Sequence, residues 1–507
     1  MNTYYLLFIG SKIIQRYILR PLPRFNLHLE YIAPYLQAQH LQEGASICFV
    51  SLGDHSQVLP FVYRVLAINS SSGAVTFQLE SIQNRSVRLA DVAAVKAAAG
   101  NLYTEYEGLK LDKDQFTHIV AQMGGPRMEE KMLLDAIQRY ITARGYYFDQ
   151  ETLYNYHICL KTRPFVILAG LSGTGKSKLT QLYAEALGHR EHFLRVPVRP
   201  NWSDDRYLLG YFNTITGEYI AEPAVEFLVD ANNDEANLYF FCLDEMNLAH
   251  VEYYFAQFLS AMEEERPEER RIILLSKHMQ EQMLLRADFS DLYDRLVWMQ
   301  ERLDTTHYDL LSQKLQRHMA MAQRQAAMAK KFAQIVLPPN LFVTGTINVD
   351  ETTQPISDKV MDRANTLEFF RVDLEKIPQP TELPEPVHLS TYTWHSYQVT
   401  QPDRSFRSQI VEISNILHTA DLGLGYRVLH EIELYIANSA GLLAPRDAFD
   451  LQVKQRILPR VRGSEVISEM VDTLLAYLKA QDLMRSEQRL TEMKKRLKRD
   501  GYTSFWR

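Results

Sequence analysis

The sequence Phe165-Val-Ile-Leu-Ala-Gly-Leu-Ser-Gly-Thr-Gly-Lys-Ser177 predicts a buried strand, a tight loop and the start of a helix. Apolar, strand-forming residues run straight into the spacing Gly170-x-x-x-x-Gly175-Lys176-Ser177, and apolar residues at helical spacing follow it. The glycines permit backbone dihedrals that turn successive N–H groups inward, and the helix N-terminus adds positive potential, so such a loop binds phosphate. The strand before the loop and the helix after it favour this interpretation over a simple glycine-rich turn.

The side chains at the end of this loop have expected roles in binding a nucleoside triphosphate and its metal ion. Lys176 is expected to reach the β- and γ-phosphates, and the hydroxyl of Ser177 to ligate Mg²⁺. The predicted nucleotide-binding residues are Gly170, Leu171, Ser172, Gly173, Thr174, Gly175, Lys176 and Ser177.

A second apolar run, Leu238-Tyr-Phe-Phe-Cys-Leu-Asp-Glu245, ends in two carboxylates. A run this continuous is typical of a strand buried on both faces, and the carboxyl ends of parallel strands lie at one edge of their sheet. We therefore expect Asp244 to hold Mg²⁺, through water or with Ser177, and Glu245 to orient and deprotonate the attacking water. The alternative is that both acids merely cap the strand.

A third strand-forming run, Asn340-Leu-Phe-Val-Thr-Gly-Thr-Ile-Asn348, ends in an amide. An amide can donate a hydrogen bond to a γ-phosphate and accept one from a water molecule. Because this run follows the carboxylate strand, we expect Asn348 to lie in the same site.

Length and composition limit the kind of protein that carries these motifs. The 507 residues have room for roughly three domains. Hydrophobic residues make up 46% and charged residues 23%, which is typical of a globular chain, and the net charge of −7 gives no general attraction to nucleic acid. Three cysteines lie far apart in apolar runs and are interpreted as buried thiols in a reducing compartment. The apolar run Tyr4–Ile9 is too short to span a bilayer and has no cleavage site, so we expect a cytoplasmic protein without membrane contact.

Residues 1–123 are predicted to form a small, β-rich N-terminal recognition domain. A helix is predicted at Tyr31–Gln39, and Asn69–Gly73 is predicted to join two strands as a hairpin. The predicted strands are Ser46–Leu52, Phe61–Ile68 and Ala74–Leu79.

Residues 124–377 are predicted to form an α/β core with a parallel sheet, because strand and helix patterns alternate along them. Their first helix is predicted at Met128–Ala143 and ends at Gly145. The residues predicted to share one face of that helix are Met132, Ala136, Ile137, Tyr140 and Ile141. Between about residues 267 and 333 the apolar spacing is helical throughout, which predicts an inserted helical hairpin serving either as a packed surface element or as a functional arm.

Residues 378–507 begin with a proline-rich linker and are predicted to form a helical lid and tail. The basic run Lys494–Arg499 is interpreted either as the solvated end of an amphipathic helix or as a tail that contacts phosphate.

Together these motifs resemble the AAA+ module, and within it the branch that contains the McrB-like motors of modification-dependent restriction, beside the dynein-related and MoxR-type ATPases. The resemblance runs from Phe165 to Gly463 and includes the sequences Asp205-Arg-Tyr-Leu-Leu-Gly-Tyr-Phe-Asn, Asp244-Glu-Met-Asn, Ser357-Asp-Lys-Val-Met-Asp-Arg363 and Leu424-Gly-Tyr-Arg427. It implies an AAA+ P-loop sheet with a helical lid. It also implies that Asn348 is sensor 1, Arg363 the arginine finger and Arg427 the sensor 2 residue.

The same resemblance implies a Mg²⁺-dependent motor that hydrolyses GTP or ATP. An arginine finger acts in a neighbouring site, so the active form is expected to be a homo-oligomeric ring, by resemblance a hexamer. DNA and a separately encoded, McrC-like nuclease subunit are the implied partners, in restriction of foreign DNA. Where the McrB signature reads Asn-Thr-Ala-Asp-Arg-Ser, this chain has Asn348-Val-Asp-Glu-Thr-Thr353, which leaves the choice between GTP and ATP open.

Several alternatives remain open at the level of the sequence. A MoxR-like chaperone that remodels a protein partner and a nucleotide switch with little turnover would carry the same three motifs. Arg363 could be a surface arginine at a helix end, and Arg427 could cap a lid helix. The segment Trp202–Tyr219 is interpreted either as a pore-facing or partner-facing loop, as the resemblance implies, or as a surface hairpin.

Overall fold

The computed structural model describes most of residues 128–506 and, before them, only the backbone of seven strands. Gaps in the described part fall at residues 214–217, 235–236, 265, 267–268, most of 287–331, 350–353 and 355.

The strands of residues 1–127 form one sheet in the order β2-β5-β4-β3-β1-β7, with β6 paired to β4. The strand predicted at Ser46–Leu52 has those bounds, and the next two predicted strands lie inside β4 and β5. Ser71 pairs with Ala74, so the connection between β4 and β5 is two residues long and shorter than the predicted turn. The predicted helix Tyr31–Gln39 lies outside the described residues. The strands are β1 Tyr4–Gly10, β2 Arg24–Leu29, β3 Ser46–Leu52, β4 Gln57–Ser71, β5 Ala74–Ser81, β6 Val87–Arg88 and β7 Gly108–Leu111.

The centre of the molecule is a parallel sheet of five strands in the order β16-β8-β15-β12-β9. The three runs that carry the motifs lie side by side in its middle as β8, β15 and β12. Their side chains are buried on both faces, as a parallel sheet covered by helices requires. The strands are β8 Phe165–Gly170, β9 Phe193–Pro197, β12 Tyr239–Asp244, β15 Leu341–Asn348 and β16 Asn365–Phe369.

Helices cover both faces of this sheet, which confirms the predicted mixed α/β class. Alternate residues of β8 pack on opposite sides, Phe165 and Ile167 in one core and Val166 and Leu168 in the other. The second of these cores contains α1 Glu130–Ala143, α2 Gln150–Thr162 and α3 Lys176–Ala186, and the first contains α5 Pro223–Asn233, α6 Val251–Tyr254 and α7 Ala256–Ala261. The short helix α4 Arg206–Leu209 precedes α5.

The face predicted for α1 is partly wrong. Met132 is 56% exposed, whereas Leu133 and Leu134 are fully buried beside Ile137 and Ile141. The buried stripe is therefore rotated by about one residue, because two adjacent leucines bury more apolar surface than Met132 alone.

Two small antiparallel sheets pack against the core that contains Phe165 and Ile167. Gly210–Asn213 and Glu218–Ala221 pair as β10 and β11, so the segment after Trp202 contains a hairpin, and residues 214–217 between the two strands lie outside the described residues. Arg271–Ile273 and Gln334–Val336 pair as β13 and β14 and form a stem at the base of the predicted insertion. The helical pattern did not predict that stem, but α8 Lys277–Arg286 does follow it.

The chain after β16 runs over the core before it becomes helical. Residues 378–389 form neither helix nor strand, and the N–H groups of Val387 and Leu389 donate to the carbonyls of Ala186 and Leu187 at the end of α3. Helix α10 Thr391–Tyr397 packs into the core, where the ring of Trp394 lies 4.9 Å from that of Phe342. The predicted boundary at residue 378 stays a prediction.

The remaining C-terminal helices have an apolar core of their own. The basic run Lys494–Arg499 lies in the last of them, whose Leu490, Met493 and Leu497 are buried. No helix in the described part of the chain is both long and apolar enough to cross a membrane. The helices are α11 Arg407–His418, α12 Tyr426–Asn438, α13 Pro445–Gln452 with a π-helical turn at Val453–Ile457, α14 Ser468–Ala480 and α15 Met484–Asp500; two short strands, β17 Gly463–Ser464 and β18 Tyr502–Thr503, pair beside them.

Candidate nucleotide-binding site

The three predicted strand ends meet at one edge of the central sheet. Asn348 is the direct partner of Gly170 in the parallel ladder, and Leu243 pairs with Gly345 on the other side of β15. The phosphate loop, the carboxylates of Asp244 and Glu245 and the amide of Asn348 therefore lie at the carboxyl ends of adjacent strands. Open α/β sheets bind their ligands at this edge.

Glycines allow the loop to take its shape. Gly175 has a φ of +89° immediately before α3, a conformation that side chains disfavour. A Cβ atom on Gly170 would lie 1.9 Å from the carbonyl oxygen of Phe369, so only glycine fits where β16 passes. The ammonium of Lys176 lies inside the loop, where it donates to the carbonyl oxygens of Gly170 at 3.2 Å and Leu171 at 2.5 Å.

Asp244 is the centre of a hydrogen-bond network that joins the loop to two strands. Its Oδ1 accepts from the hydroxyls of Ser177 and, at 2.9 Å, Thr346. Its Oδ2 accepts from Nε of Arg195 on β9 at 2.9 Å. Burial by itself would raise the pKa of Asp244, but these hydrogen bonds and the charge of Arg195 outweigh it and hold the pKa below its ordinary value.

This donor set fits Mg²⁺. Magnesium is typically held by one or two carboxylates or hydroxyls, substrate phosphates and several waters, and not by an all-protein cage. Ser177 supplies a hydroxyl and Asp244 an ionised carboxylate, as that pattern requires, and the two groups are hydrogen-bonded to each other. Among the residues that the structure describes, no cluster of three or more His, Cys, Asp or Glu side chains offers a different metal site.

Glu245 lies beside this pair in a strained backbone conformation. Its φ of +54° is left-handed, which is uncommon for a residue other than glycine and costs free energy unless the surrounding structure holds it. Its N–H donates to the hydroxyl of Thr346 at 2.9 Å, and its Oε1 lies 3.4 Å from Nδ2 of Asn348. The strain turns the carboxylate towards the end of β15.

Asn247, two residues further on, fixes the end of β15. Its Nδ2 donates to the carbonyl of Asn348 at 2.8 Å, and its Oδ1 accepts the N–H of the same residue at 3.1 Å. The side chain of Asn247 thus pairs with both backbone groups of Asn348 and is itself buried.

A cavity of about 510 Å³ lies next to the loop. It has room for a base and a ribose, and its wall combines aromatic rings with charged side chains. The ring of Phe148 comes within 3.3 Å of the Cβ position at Gly175, which joins the cavity to the phosphate loop. Residues from five separate segments line it, among them Phe148, Thr174, Glu368, Arg371, Lys454 and Arg489.

Arg363 and Arg427 do not lie with the other predicted site residues. Each donates to the same oxygen, Oε1 of Glu263, and the contact from Arg427 is 2.7 Å. The side chain of Arg363 also folds back onto the carbonyl of Lys359. Arg363 is two residues before Asn365, which pairs with Val166 near the start of β8, so both arginines lie at the amino edge of the sheet.

The length of β8 sets the distance between these two groups. Six residues separate Pro164, which is level with Arg363, from Gly170 in the loop, and six residues of strand span roughly 20 Å. An arginine side chain is much shorter than that. Neither arginine can therefore reach phosphates held by the loop of its own chain.

The sequence reasoning missed Arg195, Thr346, Asn247 and the cavity. Thr346 was detectable, because Thr344, Thr346 and Asn348 alternate along β15 and so share one face. Arg195 interrupts the apolar strand Phe193–Pro197, which is a weaker signal. The cavity has no local signal, since its wall comes from segments up to several hundred residues apart.

Comparison with known proteins adds little to this geometry. Residues 388–502 match a family described as "Domain of unknown function (DUF8727)", which covers the C-terminal helices only. A comparison with curated proteins finds no match. The solved structure of a "putative ATPase" from Cytophaga hutchinsonii ATCC 33406 is similar at 13% sequence identity and a TM-score of 0.38, over 69% of this chain and 95% of that one.

Proposed function

We propose that this chain is a Mg²⁺-dependent nucleoside triphosphatase of the AAA+ type that is active as a ring. The observation that carries the proposal is the meeting of the loop, Asp244, Glu245 and Asn348 at one edge of a parallel sheet. The strand order β16-β8-β15-β12-β9 supports the same assignment. The cavity beside the loop supplies a place for the base and ribose.

The residues at the carboxyl edge of the sheet have different roles in hydrolysis. The inward-facing N–H groups of the loop hold the phosphates, and Lys176 exchanges its two carbonyl contacts for phosphate oxygens. Ser177 and Asp244 hold Mg²⁺, which neutralises charge on the phosphates when bound. Glu245 orients and deprotonates the attacking water, and Asn348 holds the water or the terminal phosphate from the other side.

The position of the two arginines supports the proposal of a ring. A guanidinium at the amino edge can stabilise transition-state charge only in the site of a neighbouring subunit, where such a residue contributes a factor on the order of 10³ to 10⁵ in rate. We propose Arg363 as that finger and Arg427 as a second residue of the same edge. Head-to-tail contacts of this kind close into rings, and the resemblance to McrB-like motors extends the proposal to a hexamer.

The same resemblance is the basis for a biological role. We propose that the ring acts in restriction of foreign DNA, with residues 1–123 as the recognition domain and a McrC-like nuclease as partner. The alternative is a MoxR-like chaperone that acts on a protein.

The test is steady-state hydrolysis of GTP and of ATP by the full-length chain, with and without Mg²⁺ and duplex DNA. We expect Mg²⁺-dependent turnover that Lys176→Ala abolishes and that DNA changes. Arg446→Ala is the matched control, because its ion pair with Asp482 is exposed and neither residue lines the cavity. Turnover by Lys176→Ala at the wild-type rate would contradict the site, whereas turnover indifferent to DNA would favour the chaperone.

A further inference from the structure

Arg456, in the C-terminal helical region, donates hydrogen bonds to the backbone on both sides of Arg363. One guanidinium nitrogen donates to the carbonyls of Met361 at 3.0 Å and Ala364, and the other donates to the carbonyl of Asp362 at 3.0 Å. The side chain of Arg456 is 1% exposed. A buried cation needs such partners, and a planar fork with five donors supplies geometry that a lysine cannot.

Arg456 is connected, through Glu431, to both the C-terminal helices and the central sheet. Glu431 on α12 accepts from Arg456 with one carboxylate oxygen and from Arg163 with the other. Arg163 lies directly before Pro164 and β8, the strand that ends in the phosphate loop. Arg456 is therefore held in place from two directions.

Two further contacts tie the segment around Arg363 to the same region. Arg460 pairs with Asp362, and Arg462 pairs with Asp358 at 2.7 Å. Both acidic residues belong to the short helix α9 Asp358–Met361 or its end. The position of α9 thus follows that of the C-terminal helices.

The turn that carries Arg456 also reaches the nucleotide cavity. Val453–Ile457 is a single π-helical turn, a distortion that often marks functional positions. Its Lys454 lines the cavity and pairs at 2.6 Å with Glu368, near the carboxyl end of β16, while Arg456 holds the residues at the amino end of that strand. One turn therefore contacts a subunit's own nucleotide cavity and the backbone on either side of Arg363.

We propose that Arg456 is a positioning residue for Arg363, and that through it the turn Val453–Ile457 couples the nucleotide cavity of one subunit to catalysis in the next. The inference rests on the proposed trans action of Arg363. A merely structural role for Arg456, fastening the C-terminal helices to the sheet, would affect the subunit's own site and its stability. The two roles differ in which subunit loses activity.

The test mixes variants of the full-length chain. Arg456→Lys keeps the positive charge but loses the planar guanidinium that donates to three carbonyls. The variant alone should retain its nucleotide affinity, but its turnover should fall at least about tenfold. Complete loss of an arginine finger lowers the rate by a factor on the order of 10³. In a mixture with Lys176→Ala, the Arg456→Lys subunits have an intact phosphate loop, and the Lys176→Ala subunits have a correctly positioned Arg363. In equal, random mixtures roughly a quarter of interfaces combine both, and turnover should recover to the fraction reached by Arg363→Ala mixed with Lys176→Ala.

The outcomes distinguish the role of Arg456 from the trans action of Arg363 on which it rests. If Arg363→Ala recovers in the mixture but Arg456→Lys does not, or if Arg456→Lys turns over at the wild-type rate, Arg456 does not position the finger. If neither recovers in rings shown to be mixed, trans action itself is wrong, and the inference with it. Should Arg456→Lys fail to fold, Arg460→Ala is tested in the same way, with a smaller loss expected, and Arg446→Ala again serves as the unaffected control.

Discussion

Glu245 has a backbone conformation that is costly unless it serves the reaction. A left-handed backbone at a residue other than glycine costs on the order of 1 to 3 kcal/mol. The hydroxyl of Thr346 compensates in part, because it accepts the N–H of Glu245 while it donates to Asp244. One threonine therefore positions the proposed base and the proposed metal ligand together.

Glu245→Gln should separate binding from chemistry. The amide has almost the same shape but cannot take a proton, and general bases contribute about 10² to 10⁴ in rate. We expect nucleotide binding and ring assembly to be unchanged and turnover to fall at least about 10²-fold. The measurement is nucleotide affinity beside steady-state hydrolysis. Glu226→Gln, at an exposed position on α5, is the control, and unchanged turnover in Glu245→Gln would assign water activation to another residue.

Gly170 tests the geometry of the loop independently of activity. Gly170→Ala places a Cβ atom 1.9 Å from a backbone oxygen of β16, which must move with its strand. We expect the free energy of unfolding to fall by about 3 kcal/mol. Gly425→Ala meets no atom within 4 Å and, because Gly425 is the N-cap of α12, should lower stability by only about 1 kcal/mol, as measured by chemical denaturation. Equal effects at both positions would contradict the close approach of β8 and β16.

At the scale of elements, α3 begins at the phosphate loop and its end contacts the segment 378–389. His189 follows α3, and its Nε2 donates to the carbonyl of Leu389 at 2.6 Å. Burial lowers the pKa of His189 to about 4, and the nearby His192 and His388 act in the same direction, against Asp234. The imidazole is therefore neutral in the folded protein at neutral pH.

This burial predicts a pH dependence of stability with a definite sign. Below about pH 6.5 the unfolded chain binds a proton at His189 that the folded chain does not bind until about pH 4. The stabilisation is complete above that range and falls by about 3 kcal/mol across it. His189→Gln keeps the donor to Leu389 without the titration, so the difference between wild type and variant should change by that amount between pH 7 and pH 4. Gly425→Ala, which changes no titratable group, is the control and should show no such change.

The elements that the sequence predicted are those with a strong local signal. The strands of the motifs were predictable because runs such as Phe165–Gly170 and Tyr239–Asp244 are apolar on both faces and end in polar groups. The stem at Arg271–Ile273 was not, because three residues are too few to show a period of two. The contacts of Arg456 and the cavity depend on tertiary packing between distant segments, which no local pattern encodes.

At the scale of the whole molecule, the central sheet separates two half-sites. One edge has the loop, Asp244, Glu245 and Asn348, and the other has Arg363 and Arg427 bound to Glu263. With roughly 20 Å between them, a single chain has both halves but cannot bring them together. In an isolated subunit the two arginines are held by Glu263, and they must leave it to reach a neighbouring phosphate.

Turnover per subunit as a function of protein concentration, measured beside molar mass by light scattering, tests this separation most directly. The account predicts that turnover per subunit is low for the monomer and rises in step with assembly, by a factor on the order of 10³. It also predicts that Arg363→Ala assembles without that rise. A monomer that hydrolyses nucleotide at the full rate would contradict the account, because it would show that one chain completes its own site.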